Sequence, residues 1–250
     1  MNKKTKRHEK ILQIINSQGM QPVRSMATIL GVSEMTVRRD LDELIGPSGS
    51  GGSVRPFSVD ESYNLLKAAQ KAHSQKERIG KFAASMVAPN DVITIDTGST
   101  TVKMIPFIPE EFYLTVVCYT ANALMGLLNR QGIRLFMCGG IYHENTELFE
   151  CPESIQFIKR TRINKAFLSA AGVHENLGIT CANSFEVPLK DAILKSSSEK
   201  ILLADSSKFG QTRLSYFCEL DEIDAVVTDT DLPEEWRKRI VSKGIALHLV

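Results

Sequence analysis

From Pro89 onward the chain repeats one rhythm: a short apolar run, a turn, then a helical stretch. The apolar runs cover 92–96, 114–118, 134–138, 165–170, 200–205, 225–229 and 246–250, and they are rich in Val, Ile and Leu. Runs that stay apolar at successive positions are buried on both faces, and the helices between them must cross back over the sheet. This predicts an α/β domain built on a parallel sheet. Residues 63–88 read as a helical stretch with Leu65, Leu66, Ala69, Ile79, Phe82, Ala83 and Met86 inward and a break near His73–Ser74. No run approaches the ~18 apolar residues of a membrane span, and no repeat of solenoid type is present.

The first sixty residues follow another pattern. Ile11, Leu12, Ile14 and Ile15 recur at helical spacing, and Ser17-Gln18-Gly19 closes that helix. Val23, Met26, Ala27 and Leu30 form a short second helix. Gly31-Val32-Ser33 is a tight turn, Ser33 can cap the next helix, and Val37, Leu41, Leu44 and Ile45 line one face of that third helix. From Gly46 to Ser58 the pattern collapses into a Gly/Ser-rich connection. The expected division is therefore residues 1–57, a small helical domain with its linker, and 58–250, the α/β domain.

Charge follows the same division. Lys3, Lys4, Lys6, Arg7, Lys10, Arg24, Arg38 and Arg39 face only Glu9 and Glu34 over the first 39 residues. This end carries +6 in a chain of net charge +1, so the remainder carries −5. A basic end on a mildly acidic body is the footprint of an attached nucleic-acid reader. The five cysteines are scattered, with no C-x-x-C pair, so neither a zinc site nor a disulfide framework follows. No cofactor or metal is expected, and free thiols fit a cytoplasmic protein.

The three helices have the spacing of a helix-turn-helix. Ala27 lets two helices approach, Gly31 makes the turn, and Val37 and Leu41 pin the third helix onto the others. Ser33, Glu34, Met35, Thr36, Arg38 and Arg39 are left to face the major groove and its phosphates, with Arg24 beside them. Glu34, Met35, Thr36 and Arg39 are the candidates for base edges. Arg38 and the Lys3–Lys10 cluster are the candidates for phosphates, which position a reader without carrying sequence information. The string from Gly31 to Leu41, GVSEMTVRRDL, resembles the recognition helix of the DeoR-type sugar-metabolism repressors. Most members follow that helix with a wing ending in Arg-x-His-Gly-Gly. Here Gly51-Gly52 lacks the preceding Arg and His, so a shortened wing without its minor-groove contact is expected.

In the larger domain Asp96-Thr97-Gly98-Ser99-Thr100-Thr101 leaves a strand and opens a helix. Glycine, hydroxyls and free N–H groups in that place suit a phosphate, although Gly-Ser-Thr is also a common helix start. The run has neither the ending of a Walker loop nor the glycines of a dinucleotide fingerprint. Cys138-Gly139-Gly140, Ala170-Ala171-Gly172-Val173-His174 and Asp205-Ser206-Ser207-Lys208 also stand at strand ends, where open α/β sheets bind ligands. Lys208 can pair with a ligand phosphate or with Asp205. Glu186 and Lys190 share a helix face, for which an i,i+4 ion pair is the default explanation. His143 and His174 read as satisfied loop histidines.

The resemblance to the DeoR-type family extends from about Arg7 to Leu249. It implies an effector domain similar in fold to ribose-5-phosphate isomerase, with a phosphosugar at the strand ends. By that resemblance Asp96, Gly98, Ser99, Thr100 and Thr101 form the phosphate loop. Gly139, Gly140, Gly172, Glu186, Lys190, Asp205 and Lys208 line the rest, and the runs 117–120, 138–143 and 169–174 imply deoxyribose 5-phosphate as the effector. The implied partners are double-stranded operator DNA, a phosphorylated sugar and further copies of the chain, with no membrane. The competing reading is an isomerase-like enzyme with Glu186 as base. Against it, the Asp-Gly-Ala-Asp and Lys-Gly-Gly-Gly stretches of such isomerases are replaced by Ala170-Ala171-Gly172-Val173 and Gly178-Ile179-Thr180.

Overall fold

A computed structural model describes residues 23–45 and 64–250, together with positions 4, 6–8, 10, 11 and 14. The Gly-rich connection, the wing and the greater part of the first expected helix lie outside the described residues, as do the side chains of Arg38 and Leu41. The described positions from Lys4 to Ile14 are helical. They precede α1 (Val23–Leu30) and α2 (Glu34–Ile45). Ile11, Met26, Ala27 and Val37 close into a small core, with Val23, Leu30 and Val32 packed on it. Gly31 takes the turn with φ 65°, a conformation glycine adopts without a Cβ penalty. Ser33 Oγ then accepts the Thr36 N–H at 3.2 Å, the capping bond its residue type predicts.

The expected 63–88 stretch is two helices, α3 (Leu65–Gln70) and α4 (His73–Ser85). The break falls at Lys71–Ala72, just before the expected place, and Ala72 adopts φ 51° there. Beyond them come β1 (Val92–Ile95), β2 (Leu114–Cys118), α5 (Ala121–Leu127), β3 (Ile133–Met137), β4 (Ile141–His143) and β5 (Leu148–Glu150). The chain continues through α6 (Pro152–Arg160), β6 (Ile163–Ser169), β7 (Gly172–His174), β8 (Gly178–Cys181), α7 (Val187–Ser196) and β9 (Ser197–Leu203). It ends with β10 (Ser215–Cys218), β11 (Ala225–Thr228), α8 (Glu234–Ser242) and β12 (Ala246–Leu249).

Seven strands form one parallel sheet in the order β12-β11-β9-β6-β1-β2-β3, one for each apolar run. Their side chains alternate between two cores. Ile93, Ile95, Val116, Phe167, Ile201, Leu203 and Val227 pack with α4 and α5 on one face. Val117, Ala166, Leu168, Leu202 and Val226 pack with α6, α7 and α8 on the other. The hairpin β4–β5 and the antiparallel sheet β10-β8-β7 have no counterpart among the apolar runs. They pass over the carboxyl ends of the main strands.

The strand order reverses direction at β1. The chain runs outward from β1 to β2 and β3, then returns to the other side of β1 for β6, β9, β11 and β12. A crevice opens beyond the strand ends at such a switch point, here between β1 and β6. That crevice is where the loop beginning at Asp96 lies.

Candidate functional site

Asp96, the residue after β1, is fully buried and accepts from four donors. Its Oδ1 takes the Tyr119 hydroxyl at 2.5 Å and the Thr97 N–H at 2.7 Å. Its Oδ2 takes the Ser169 N–H at 2.9 Å and the Lys190 ammonium. The carboxylate therefore ties β1, β2, β6 and α7 together at the switch point. A carboxylate offers about four lone-pair sites, and all are occupied here by the protein. Burial works to strip the Lys190 proton. Asp96 and Glu186, the latter 4.0 Å away, more than reverse this and hold its pKa above the usual lysine value. Tyr119 is pushed well up by burial and by Asp96, so it remains a donor.

Other expected ligand groups serve the frame in the same way. Thr101 Oγ1 donates to the Asp96 and Gly98 carbonyls at 2.7 and 3.1 Å. Glu186 Oε1 accepts the Asn183 N–H and Nδ2 at 3.0 and 2.9 Å, closing a capping box, and burial raises its pKa. At Gly98 a Cβ would strike Ser169 Oγ, and at Gly172 it would lie 2.6 Å from the Gln211 carbonyl oxygen. These glycines allow chain to approach chain on the side where a Cβ would stand. Gly140 is the same: its φ is 138° and a Cβ there would meet the Glu150 carbonyl. Gly139 is exposed with open space around it, and its carbonyl accepts Ser154 Oγ at 2.6 Å. The crevice residues Asp96, Ser99, Glu186, Lys190 and Asp205 do come together. Gly139 and Gly140 enter instead through the β4–β5 hairpin, whose Thr146 carbonyl accepts Thr97 Oγ1 at 2.7 Å.

What remains for a ligand is the other side of the loop. The backbone N–H groups of Gly98, Ser99 and Thr100 make no hydrogen bond among the described residues. Beside them stands Lys76 of α4, which the sequence reading missed. Its Nζ donates to Ser99 Oγ at 3.0 Å and to the Ala68 carbonyl at 2.6 Å, and lies 3.9 Å from Asp205 Oδ2. Burial pushes its pKa down to about 8, and the charge of Asp205 restores only part. Lys208, half-buried beyond β9, forms no ion pair among the described residues, and burial lowers its pKa as well. Asp205 caps its own turn by accepting Ser207 N–H at 3.2 Å. One signal for Lys76 was in the sequence: it stands three, four and seven residues before Ile79, Gly80 and Ala83, on the buried stripe of the helix.

In the helix-turn-helix, Ser33, Glu34 and Arg39 are exposed, Thr36 is partly so, and Met35 has 77% of its surface open to solvent. Arg24 is exposed on α1 and borders the same groove at the turn. Arg7 departs from the expected phosphate role. It grips buried Asp40 through two hydrogen bonds, one of 2.9 Å, while His8 Nε2 lies 3.1 Å from the same carboxylate. The Arg7 hydrogen bond is the main reason that the Asp40 pKa falls below its usual 3.8. A depressed carboxylate adds stability above the ordinary value and loses it as pH falls through the lowered one, so the brace is intact near neutrality. Asp40→Ala is expected to lower the first calorimetric transition of the full chain by about 1.5–3 kcal/mol. An unchanged transition would refute the brace.

A helix-turn-helix combined in one chain with an α/β domain and a cation-rich crevice defines a ligand-responsive DNA-binding regulator. The chain belongs to the DeoR family: the DeoR-like helix-turn-helix domain matches residues 7–48, and the DeoR C-terminal sensor domain matches 71–230. It is 33% identical over 248 residues to the deoxyribose operon repressor of Escherichia coli K12, covering 97% of this chain and 98% of that one. It is 30% identical over 239 residues to the L-fucose operon activator of Haemophilus influenzae, covering 93% and 94%. Among solved structures, ribose 5-phosphate isomerase A of Methanocaldococcus jannaschii shares 19% identity at a TM-score of 0.41, covering 55% and 54% of the two chains. The relatives are named as transcriptional regulators, and this protein is a regulator rather than an enzyme. Among the described residues no helix is long and apolar enough to cross a membrane.

Proposed function

We propose that this protein represses a sugar or deoxynucleoside catabolic operon and leaves its operator when deoxyribose 5-phosphate occupies the crevice at the β1–β6 switch point. The observation that carries this reading is the loop at Gly98–Thr100 at the switch point, whose backbone N–H groups make no hydrogen bond among the described residues and whose Ser99 hydroxyl is held by the buried Lys76. The name of the Escherichia coli relative supports deoxyribose as the sugar. Repression by release requires that the ligand bind the DNA-free conformation better than the DNA-bound one. Self-association belongs to the proposal, because a single helix-turn-helix has a small footprint and symmetric copies read repeated half-sites.

Operator duplexes selected from a random library and followed by fluorescence anisotropy test the reading. Deoxyribose 5-phosphate should dissociate the complex and unphosphorylated deoxyribose should not; a complex indifferent to both overturns it. Ligand at 100 times its dissociation constant should also stabilise the protein by about 2.7 kcal/mol in a thermal shift. Arg39→Ala is expected to weaken operator binding by about 1–3 kcal/mol and relax selectivity at one base pair, as loss of a base contact does. A uniform loss across sequences would reassign Arg39 to phosphate.

A further inference from the structure

We propose that Lys76 is the residue that reads the effector's phosphate, holding the anion at the Ser99–Thr100 turn together with Lys208. This rests on the proposed function for the chemistry of the ligand and adds the residue that selects it. The argument starts from the donors. An ammonium has three N–H groups. Two of those on Lys76 go to the Ala68 carbonyl and to Ser99 Oγ, and the third has only Asp205 near it, at 3.9 Å and beyond hydrogen-bond range. The side chain is 1% exposed.

A comparison within the same crevice shows how unusual this is. Lys190 is equally buried, yet it touches Asp96 directly and has Glu186 at 4.0 Å. Lys76 has one carboxylate, at 3.9 Å, and the cations of Lys208, Lys103 and Lys71 also act on it. Lys208 in turn feels Arg213 and Lys71. Of the charged groups that act most strongly on Lys76, Asp205 alone is negative. A buried cation whose one counter-charge stands at 3.9 Å is only partly compensated. A phosphate dianion at the turn would add to that counter-charge, accept the third Lys76 proton and meet the free N–H groups of Gly98, Ser99 and Thr100. A neutral sugar would provide none of this, so the same lysine explains preference for a phosphorylated ligand.

The position also fixes the sign of the pH dependence. Lys76 in the empty protein loses its proton near pH 8, and a bound phosphate would hold it on. Asp205, Lys208, Lys103 and Lys71 are the charged groups acting on it. Affinity should be level from about pH 7 to 8, since a phosphate ester's second ionisation lies near 6, and should fall above that.

The test is calorimetric titration of the full chain and of K76M, K76R and K208M with deoxyribose 5-phosphate, ribose 5-phosphate and inorganic phosphate. K76M should fold with a lower melting temperature, because the Ala68 carbonyl and Ser99 Oγ lose their donor and buried Asp205 loses its ion-pair partner. It should lose about 10- to 100-fold in affinity, the loss of charge-assisted hydrogen bonds, along with the alkaline fall. K76R should retain part of the affinity and move the fall beyond pH 10, and K208M should weaken binding by a smaller factor. A wild type that binds one of the three probes while K76M binds it equally overturns the role of Lys76 and leaves the proposed function standing. Wild-type binding of ribose 5-phosphate or phosphate but not deoxyribose 5-phosphate overturns the effector's identity, and K76M still decides the lysine. A wild type that binds none of the three overturns both.

Discussion

Asp96→Asn should remove about 3–5 kcal/mol from the stability of the sensor domain, the usual result of breaking one side of a buried ion pair. At about 2–4 °C per kcal/mol for a domain of this size, the melting temperature should fall by roughly 10 °C. Four donors converge on the carboxylate. An amide offers one acceptor oxygen, and its NH2 would face donors. Lys190 would remain charged and buried with Glu186 alone, at 4.0 Å. The double variant D96N/K190M should recover much of the loss, because the uncompensated charge leaves with the lysine. If the two losses simply add, the pair is not the switch-point brace described here. The pH dependence has a definite sign. A raised lysine pKa adds stability that is complete below the unfolded value and disappears as pH rises through the folded one, which here lies above 10.5. The wild-type contribution is therefore constant through neutrality and lost only in strong alkali.

Asp96 also shows how far the sequence could be read. Its place was legible, because an acidic residue ending an apolar run before Gly-Ser-Thr must stand at a strand's carboxyl end. Its role was not, because the partners Tyr119, Ser169 and Lys190 lie 23, 73 and 94 residues away. The seven strands were legible for a similar local reason: burial on both faces writes itself as a continuous apolar run. Antiparallel strands such as β4 and β5 write only three residues each, with Ile141 and Tyr142 exposed, too little for a period-two pattern to register. The helix-turn-helix was legible because its turn needs small residues at fixed offsets. The Arg7–Asp40 brace was hidden, since a basic cluster reads as a solvated phosphate contact until a buried carboxylate is placed beside it. Lys76 was hidden by its residue type, since lysine in an amphipathic stretch is normally assigned to the wet face.

The two adjacent glycines after β3 separate a structural from a ligand-admitting role. Gly140→Ala is expected to lower stability by about 2–5 kcal/mol, combining backbone strain with overpacking. The strain arises from φ 138°, where side chains are excluded, and the overpacking from the Glu150 carbonyl and the Cys151 nitrogen, the latter 2.8 Å from the new Cβ. Gly139→Ala should change stability by less than about 0.5 kcal/mol, because its Cβ would enter open space. The difference reaches the site through the hairpin. Ile141 pairs with Glu150 at the base of β4–β5, and the turn beyond them holds Thr97 through the Thr146 carbonyl, α3 through Asn145 and α5 through Glu147. Displacing that base should loosen all three attachments, so Gly140→Ala should weaken effector binding and lower the melting temperature together. If instead both alanine variants weaken binding at an unchanged melting temperature, the glycines admit the ligand directly, and the hairpin does not form the wall of the crevice.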